Sequence, residues 1–145
     1  MQARSVNLCI FLVSLVATLA SLYLEFFLGE IPCDLCLLQR SQHVFSCGFA
    51  GLAWMIPRLE RLAWMNAIAF GFGATVASYH GLIVFGLVHR RCQAQVDTTS
   101  MEHFFDSLST QGACDMAYPI MGVPLPLWNL LICASCLKAL RYKKH

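Results

Sequence analysis

The chain has 145 residues, enough for one domain, and its composition is that of a membrane protein. Hydrophobic residues make up 58% of it and charged residues only 12%, about half the charge of an average soluble domain. The small net charge of +2, with no long basic stripe, excludes a nucleic-acid-binding domain. Long apolar runs exclude a small secreted scaffold in spite of the eight cysteines.

Apolar segments long enough to cross a bilayer predict an all-α membrane protein, a bundle of four transmembrane helices. The spans lie, in chain order, at about 6–28, 41–56, 62–85 and 120–137. The first is too long for a signal peptide and lacks a small-residue cleavage site, so we expect it to stay uncleaved. The second is short, which indicates a span that starts in the preceding loop or matches a thinned bilayer. Pro124, Pro126 and Trp128 stand at the start of the fourth, where a helix tolerates proline and a membrane interface favours tryptophan.

Basic residues predict the orientation of the bundle. With four spans, both termini lie on one side of the membrane, together with the connection between the second and third spans at 57–61. That side holds most of the basic residues: Arg4, Arg58, Arg61, Lys138, Arg141, Lys143 and Lys144. The other side holds only Arg40, Arg90 and Arg91. Because basic residues favour the cytoplasm, we expect both termini there, with two extracytoplasmic loops at about 29–40 and 86–119 of a single domain spanning 1–145.

This topology sorts the cysteines. Cys33 and Cys36 fall in the first outer loop, and Cys92 and Cys114 fall in the second. Thiols outside the plasma membrane are oxidised unless protected, so two structural disulfides, a four-cysteine zinc site and a relay of two exchanging disulfides all fit. The spacing of the second pair does not repeat the short spacing of a structural zinc site, so we expect no metal. The remaining cysteines are interpreted as small apolar packing residues: Cys9, Cys47, Cys133 and Cys136.

The stretch PCDLCLLQR at 32–40 favours exchange. Pro32 can start a helix that runs into the second span, and cysteines at a helix N-terminus have a lowered pKa. Arg40 lies one helical turn after Cys36 and can share a face with it. Its permanent positive charge would stabilise a Cys36 thiolate or a reduced, anionic acceptor, unless it only anchors the chain at the lipid head groups.

His80 is a further candidate site residue, toward the outer end of the third span. Ionisable groups inside a membrane often serve function, and this one could hydrogen-bond or protonate an acceptor. A structural hydrogen bond between helices is the alternative. Glu25 and His43, in the first and second spans, are interpreted as interfacial or packing residues.

Three sequence blocks resemble the bacterial inner-membrane disulfide bond formation protein B (DsbB) family. The block at 32–40 is similar to the family's P-C-x-L-C-x-x-x-R, and Gly73 and His80 match a Gly and a His of its third span. Cys114 followed by GVPLPLW at 122–128 looks like its C…G-x-x-x-P-x-W. The chain departs from the family in the RRCQA sequence around Cys92, where a Pro- and Gly-rich stretch is frequent, and at Val84, where a polar residue is common.

The resemblance implies a relay of disulfide exchanges. A reduced, DsbA-like periplasmic protein with a thioredoxin fold would attack a Cys92–Cys114 disulfide, at Cys92. Cys114 would then attack Cys33 of the C-x-x-C pair and leave Cys36 as a thiolate. Thiolate attack is the general route of such exchange.

The resemblance also implies an electron acceptor, a quinone of the membrane pool (ubiquinone or menaquinone), bound by Cys36, Arg40 and His80. The activity implied is that of a protein-disulfide (thiol):quinone oxidoreductase. It would be a multi-pass protein of the bacterial inner membrane, surrounded by lipid, with its active cysteines on the periplasmic side.

Two other interpretations remain open. In vitamin K epoxide reductase-like proteins, also quinone-linked four-helix bundles, the loop cysteine pair precedes the C-x-x-C, whereas here the C-x-x-C comes first. A non-enzymatic membrane protein with static outer disulfides or a four-cysteine zinc site is the other. A redox-inert C-x-x-C or bound zinc would favour it.

Overall fold

The computed structural model describes residues 2–29, 32–56, 63–88 and 119–142, which form four helices and one short hairpin. The helices are α1 (Gln2–Leu28), α2 (Asp34–Met55), α3 (Ala63–Val84) and α4 (Leu125–Tyr142). Two short strands, β1 (Pro119–Ile120) and β2 (Val123–Pro124), pair antiparallel directly before α4. The all-α class predicted from the sequence is confirmed. Cys92 and Cys114, with most of the second predicted outer loop, lie outside the described residues.

The second helix begins seven residues before the predicted span. Cys33 is its N-cap residue, in an extended conformation, and its Sγ accepts a hydrogen bond from the backbone N–H of Cys36 at 3.4 Å. A cap of this kind satisfies one of the N–H groups that the first turn of a helix leaves free. Residues 34–40, predicted as part of the first outer loop, are therefore the first two turns of α2.

The fourth helix begins at Leu125, later than the predicted start at 120, because the hairpin occupies the intervening residues. Met121 and Gly122 form its turn, both with positive φ (54° and 78°), which ends any helical path there. Trp128 ties the helix to the hairpin, since its indole Nε1 donates to the carbonyl oxygen of Ile120 at 3.2 Å.

Packing joins the helices in chain order. The second helix packs against both α1 and α3, and α3 packs against α4, whereas α1 meets α4 at few positions. One apolar core takes side chains from all four helices: Ile10, Ala50, Phe70, Cys133 and Cys136. The two cysteines of this core are buried, which confirms their interpretation as packing residues. Cys47 is partly buried, and the interpretation is wrong for Cys9, which is exposed.

The surface and the interior have the polarity expected of a bundle in lipid. Two helical segments, Arg4–Leu28 and Trp64–Val84, are long and apolar enough to cross a membrane. Large apolar side chains cover the outside, as shown by Phe26 and Phe27, which are 75% and 76% exposed. Buried polar residues line the inside, among them Gln39, Gln42, His43, Asn66, His80 and Asn129. In water such an apolar surface would drive aggregation, whereas in a bilayer it contacts the apolar lipid chains.

Candidate active site

The cysteine pair lies at one end of the bundle, where α1 and α3 end and α2 and α4 begin. Cys33 caps α2 and Cys36 lies in its first turn, so their sulfur atoms are only 2.9 Å apart. The last turns of α3 bring His80 to the same place, with Nε2 4.0 Å from Cys33 Sγ. Cys33 and His80 are buried, and Cys36 is half-buried. Two of the four predicted catalytic cysteines are thus brought together with the predicted histidine.

The two thiols differ in acidity because they share one proton. Hydrogen bonding from the Cys36 side chain lowers the pKa of Cys33 to about 4, with smaller contributions from His80 and the Cys36 backbone N–H, while burial acts in the opposite direction. The same hydrogen bond, reinforced by burial, raises the pKa of Cys36. The reduced pair therefore holds its negative charge on Cys33. The Cys36 thiolate predicted from the sequence belongs to a different state, in which Cys33 is bonded to Cys114, and the acidity of the reduced pair does not test it.

Gln39 is a site residue that the sequence analysis missed. Its side-chain Nε2 lies 3.2 Å from His80 Nδ1, and both side chains are buried. Cys36 and Gln39 are three residues apart on α2, so one face of this helix carries both. A helix over PCDLCLLQR would have placed Gln39 on the same face as Cys36. Only the position of α3 shows that the Gln39 amide contacts His80.

Arg40, predicted to bind the electron acceptor, pairs with α1. Its Nη1 donates to Glu25 Oε2 at 2.5 Å, and its Nη2 donates to the backbone oxygen of Ser21 at 3.4 Å. The positive charge of Arg40 still acts on Cys36, where it lowers the pKa against the larger opposing effects. Glu25, interpreted from the sequence as an interfacial or packing residue, is therefore the counter-ion of the predicted site arginine.

A second polar contact lies deeper in the bundle. His43 on α2 donates from Nε2 to Asn129 Oδ1 on α4 at 2.8 Å, and Cys133 lies 3.7 Å from the same oxygen. Gln42 packs directly on α3 at Gly73, where an added Cβ would lie 2.5 Å from Gln42 Oε1. His43 is thus a buried interhelical residue, in agreement with its interpretation as packing.

The three ligating atoms of Cys33, Cys36 and His80 lie within 4.8 Å of one another, a set that could hold a metal ion. Two thiolates on a tetrahedral zinc ion, with Zn–S distances of about 2.3 Å, would stand roughly 3.8 Å apart. The observed separation of 2.9 Å is too short for that geometry, and a small movement would bring the sulfurs to the roughly 2.05 Å of a disulfide bond. The arrangement suits the opening and closing of a disulfide better than a resident metal.

The donors around Cys36 fit a quinone. Arg40 Nε is a buried N–H donor with no hydrogen-bond partner among the described residues, so it is available to an acceptor oxygen. A guanidinium group also stabilises the negative charge that a quinone oxygen gains on reduction. The residues present therefore match the chemistry of such an acceptor.

Comparison with known proteins assigns the family. The model of the family described as disulfide bond formation protein DsbB matches residues 3–142. The chain belongs to this family. The match includes the capped C-x-x-C, Arg40 and His80, and it makes the protein a membrane-bound, disulfide-forming oxidoreductase of the DsbB family rather than a vitamin K epoxide reductase-like protein.

Relatives of the same name cover most of the chain. Disulfide bond formation protein B 1 of Pseudomonas putida is 31% identical over 124 residues, 77% of this chain and 71% of that protein. Disulfide bond formation protein B of Cupriavidus necator is 28% identical over 143 residues, 90% of this chain and 85% of that protein. The protein of that name from Burkholderia ambifaria is 34% identical over 127 residues, 80% and 74% of the two chains. No solved structure matches the chain.

Proposed function

We propose that the protein re-oxidises a DsbA-like periplasmic oxidase of thioredoxin fold and passes the electrons to a membrane quinone. The observation that carries the proposal is the pair of sulfurs 2.9 Å apart at the end of a lipid-facing bundle. Beside the pair lie a buried histidine and an arginine whose Nε–H has no hydrogen-bond partner within the described part of the chain. Family membership supports the disulfide chemistry.

The proposed topology is the one predicted from the sequence, with four spans, cytoplasmic termini and periplasmic cysteines. α1 and α3 qualify as spans by their apolar length alone. The other two helices carry polar residues that face the interior, such as His43 and Asn129, and these lower their hydropathy without exposing charge to lipid. Arg4 lies at the opposite end of the bundle from Cys33, its guanidinium over the ring of Trp54, as expected of the basic cytoplasmic face. The whole chain, 1–145, forms one domain in this proposal.

Electrons enter through Cys92 and Cys114. A thiolate of the partner attacks Cys92, forming a mixed disulfide, and the electron pair of the broken bond stays on Cys114. The Cys114 thiolate attacks Cys33, breaks the Cys33–Cys36 bond and leaves its electron pair on Cys36. The second thiol of the partner then releases Cys92, which re-forms its bond with Cys114 and releases Cys33. One dithiol of the partner has become a disulfide, and Cys33 and Cys36 are reduced.

Residues around Cys33 and Cys36 favour the transfer of electrons from this pair to a quinone. A bound quinone would supply a two-electron, two-proton acceptor. While Cys33 is bonded to Cys114, no Cys33 thiolate competes with Cys36, so the positive charge of Arg40 stabilises the Cys36 thiolate. Arg40 Nε offers a hydrogen bond to an acceptor oxygen. DsbA is a strong oxidant with a reduction potential of about −120 mV, so only a more oxidising acceptor drives the cycle forward.

The test is a reconstituted assay with the purified protein, a reduced DsbA-type partner and a soluble quinone analogue, in which the quinone absorbance is followed. We expect the absorbance loss to require each of the four proposed catalytic cysteines: Cys33, Cys36, Cys92 and Cys114. Changing the other cysteines to Ser or Ala is the matched control and should leave turnover in place: Cys9, Cys47, Cys133 and Cys136. Full turnover by a Cys36→Ser variant would exclude the mechanism. Zinc bound stoichiometrically to the purified protein would support a structural site instead.

A further inference from the structure

Gln39, His80 and Cys33 form a continuous line of buried polar contacts between α2 and α3. We propose that Gln39 is a positioning residue that holds His80 as the hydrogen-bond donor to Cys33, so that the three side chains together stabilise the Cys33 thiolate. The proposal rests on the proposed function only for its consequence in turnover. Its geometry and its test concern this chain alone.

The direction of the hydrogen bonds follows from the chemistry of the groups. The Gln39 atom facing His80 is the amide nitrogen, 3.2 Å from Nδ1, and an amide nitrogen can only donate. His80 Nδ1 is then the acceptor, so a neutral ring carries its proton on Nε2. That nitrogen lies 4.0 Å from Cys33 Sγ, within reach of a hydrogen bond to sulfur. Gln39 thereby selects the tautomer that donates to Cys33, as a third group orients the histidine in nucleophile–histidine pairs.

Burial gives this contact its strength. Gln39, His80 and Cys33 are all buried, and Leu35 and Ile83 form an apolar cluster with Cys33. Water has little access to such a site, so a lost amide donor is not readily replaced by solvent. Without Gln39 the imidazole could rotate or change tautomer and turn a lone pair toward the sulfur, which would destabilise the thiolate.

The electrostatics of the surroundings agree with this assignment. The hydrogen bond from His80 is one of the interactions that lower the pKa of Cys33, after the larger contribution of Cys36. Other charges also act at this end of the bundle, so the contribution of Gln39 has to be separated from theirs. Among the described residues, these titratable or charged groups are Glu25 on α1, Asp34, Cys36 and Arg40 on α2, and Tyr79 and His80 on α3.

In the proposed cycle the stabilised thiolate is a leaving group. When the Cys92 thiolate attacks Cys114, the Cys92–Cys114 bond forms, the Cys33–Cys114 bond breaks and the electron pair stays on Cys33. Exchange is faster when the leaving thiol has a lower pKa. The Nε2–H of His80 therefore favours resolution of the mixed disulfide, and Gln39 keeps that proton in place.

The experiment measures the acidity of Cys33 directly. The full chain in detergent is reduced and pulsed with iodoacetamide at a series of pH values, and the fraction of Cys33 alkylated is read by peptide mass spectrometry. Gln39→Leu and Gln39→Met both remove the amide at similar side-chain length. We expect either change to raise the midpoint pH of Cys33 alkylation by about one unit, the size of one hydrogen bond to a charged group.

Two comparisons separate positioning from a general disturbance of the bundle. In a His80→Ala chain, adding Gln39→Leu should cause no further shift, because Gln39 acts through His80. Gln42→Leu is the matched control, a buried glutamine one turn further along α2 that contacts Gly73 rather than His80, and it should leave the midpoint unchanged. The proposal is overturned if neither Gln39 variant shifts the midpoint, or if the shift is equally large without His80. Neither quinone nor partner is used, so failure of the turnover assay and failure of this test are distinguishable.

Discussion

Replacing Glu25 with glutamine should stabilise the Cys36 thiolate that forms while Cys33 is bonded to another sulfur. The change keeps the size of the side chain and an oxygen that can accept from Arg40, but it removes the negative charge 2.5 Å from Nη1. In the native chain this carboxylate opposes the attraction between Arg40 and Cys36. In Glu25→Gln the positive charge of Arg40 acts on the thiolate without that opposition.

The size of the effect follows from the positions of the charges. One turn of helix places the charge of Arg40 roughly 6 Å from the Cys36 sulfur, an attraction of about 3 kcal/mol at an effective dielectric constant of 20. If Glu25 is taken to lie one ion-pair length of 2.5 Å beyond Arg40, about 8 Å from the sulfur, it opposes this attraction by about 2 kcal/mol. Arg40 and Glu25 side chains are 18% and 30% exposed, so solvent screening reduces the second value to about 1 kcal/mol. The pKa of Cys36 should fall by about 0.7 unit.

The assay uses a Cys33→Ser background, which mimics the state in which Cys33 is unavailable and leaves Cys36 as a lone thiol. Alkylation of Cys36 is followed against pH by peptide mass spectrometry. We expect Glu25→Gln to lower the midpoint and Arg40→Gln, the matched variant at the other end of the ion pair, to raise it. Shifts of the same sign in the two variants, or a higher midpoint in Glu25→Gln, would show that Arg40 does not act on Cys36 through its charge.

Three further predictions concern packing and acidity. Gly73→Ala should lower the free energy of unfolding by about 1–3 kcal/mol, because the new Cβ would meet the buried side chain of Gln42. Adding Gln42→Ala to the same chain should restore most of this stability, as measured by thermal unfolding in detergent. Cys133→Ala and Cys136→Ala should reduce thermal stability modestly while quinone reduction persists, and loss of turnover at full stability would contradict their role in the core. In the reduced protein, the rate of Cys33 alkylation should be nearly independent of pH from about 5 to 8. It should fall as the pH drops through the Cys33 pKa of about 4. A rate that rises tenfold per pH unit above 6 would instead indicate an ordinary thiol.

The fold was predictable where apolar length alone decides the structure. The ends of α3, Ala63 and Val84, lie within one residue of the span predicted from composition, and α1 ends at Leu28 as predicted. The starts of α2 and α4 were not, because they depend on local backbone geometry. The sulfur of Cys33 caps the start of α2, and a turn with two residues of positive φ precedes α4. Hydropathy carries no information on either.

The placement of Cys33, Cys36 and His80 in one cluster could be predicted from residue type and spacing, whereas their roles and that of Arg40 stay predictions. Gln39 and Glu25 were missed because their roles depend on which helix faces which. The sequence did contain a signal for Glu25, a charged residue in an apolar span, since such charges are usually paired. Choosing Arg40 as its partner requires the packing of α1 against α2, which no pattern within either helix specifies.

The sulfur of Cys33 both caps a helix and takes part in the proposed chemistry. Its lone pairs accept the N–H of Cys36 in the described structure, and a sulfur engaged in a disulfide is a weaker acceptor than a thiolate. Each turn of the cycle should therefore loosen and retighten the first turn of α2. Amide hydrogen exchange at Cys36 would report this as a redox-dependent protection. Gln39 and Arg40 lie in the first two turns of the same helix. A change in the oxidation state of Cys33 should therefore shift the side chains that are proposed to orient His80 and to stabilise the Cys36 thiolate.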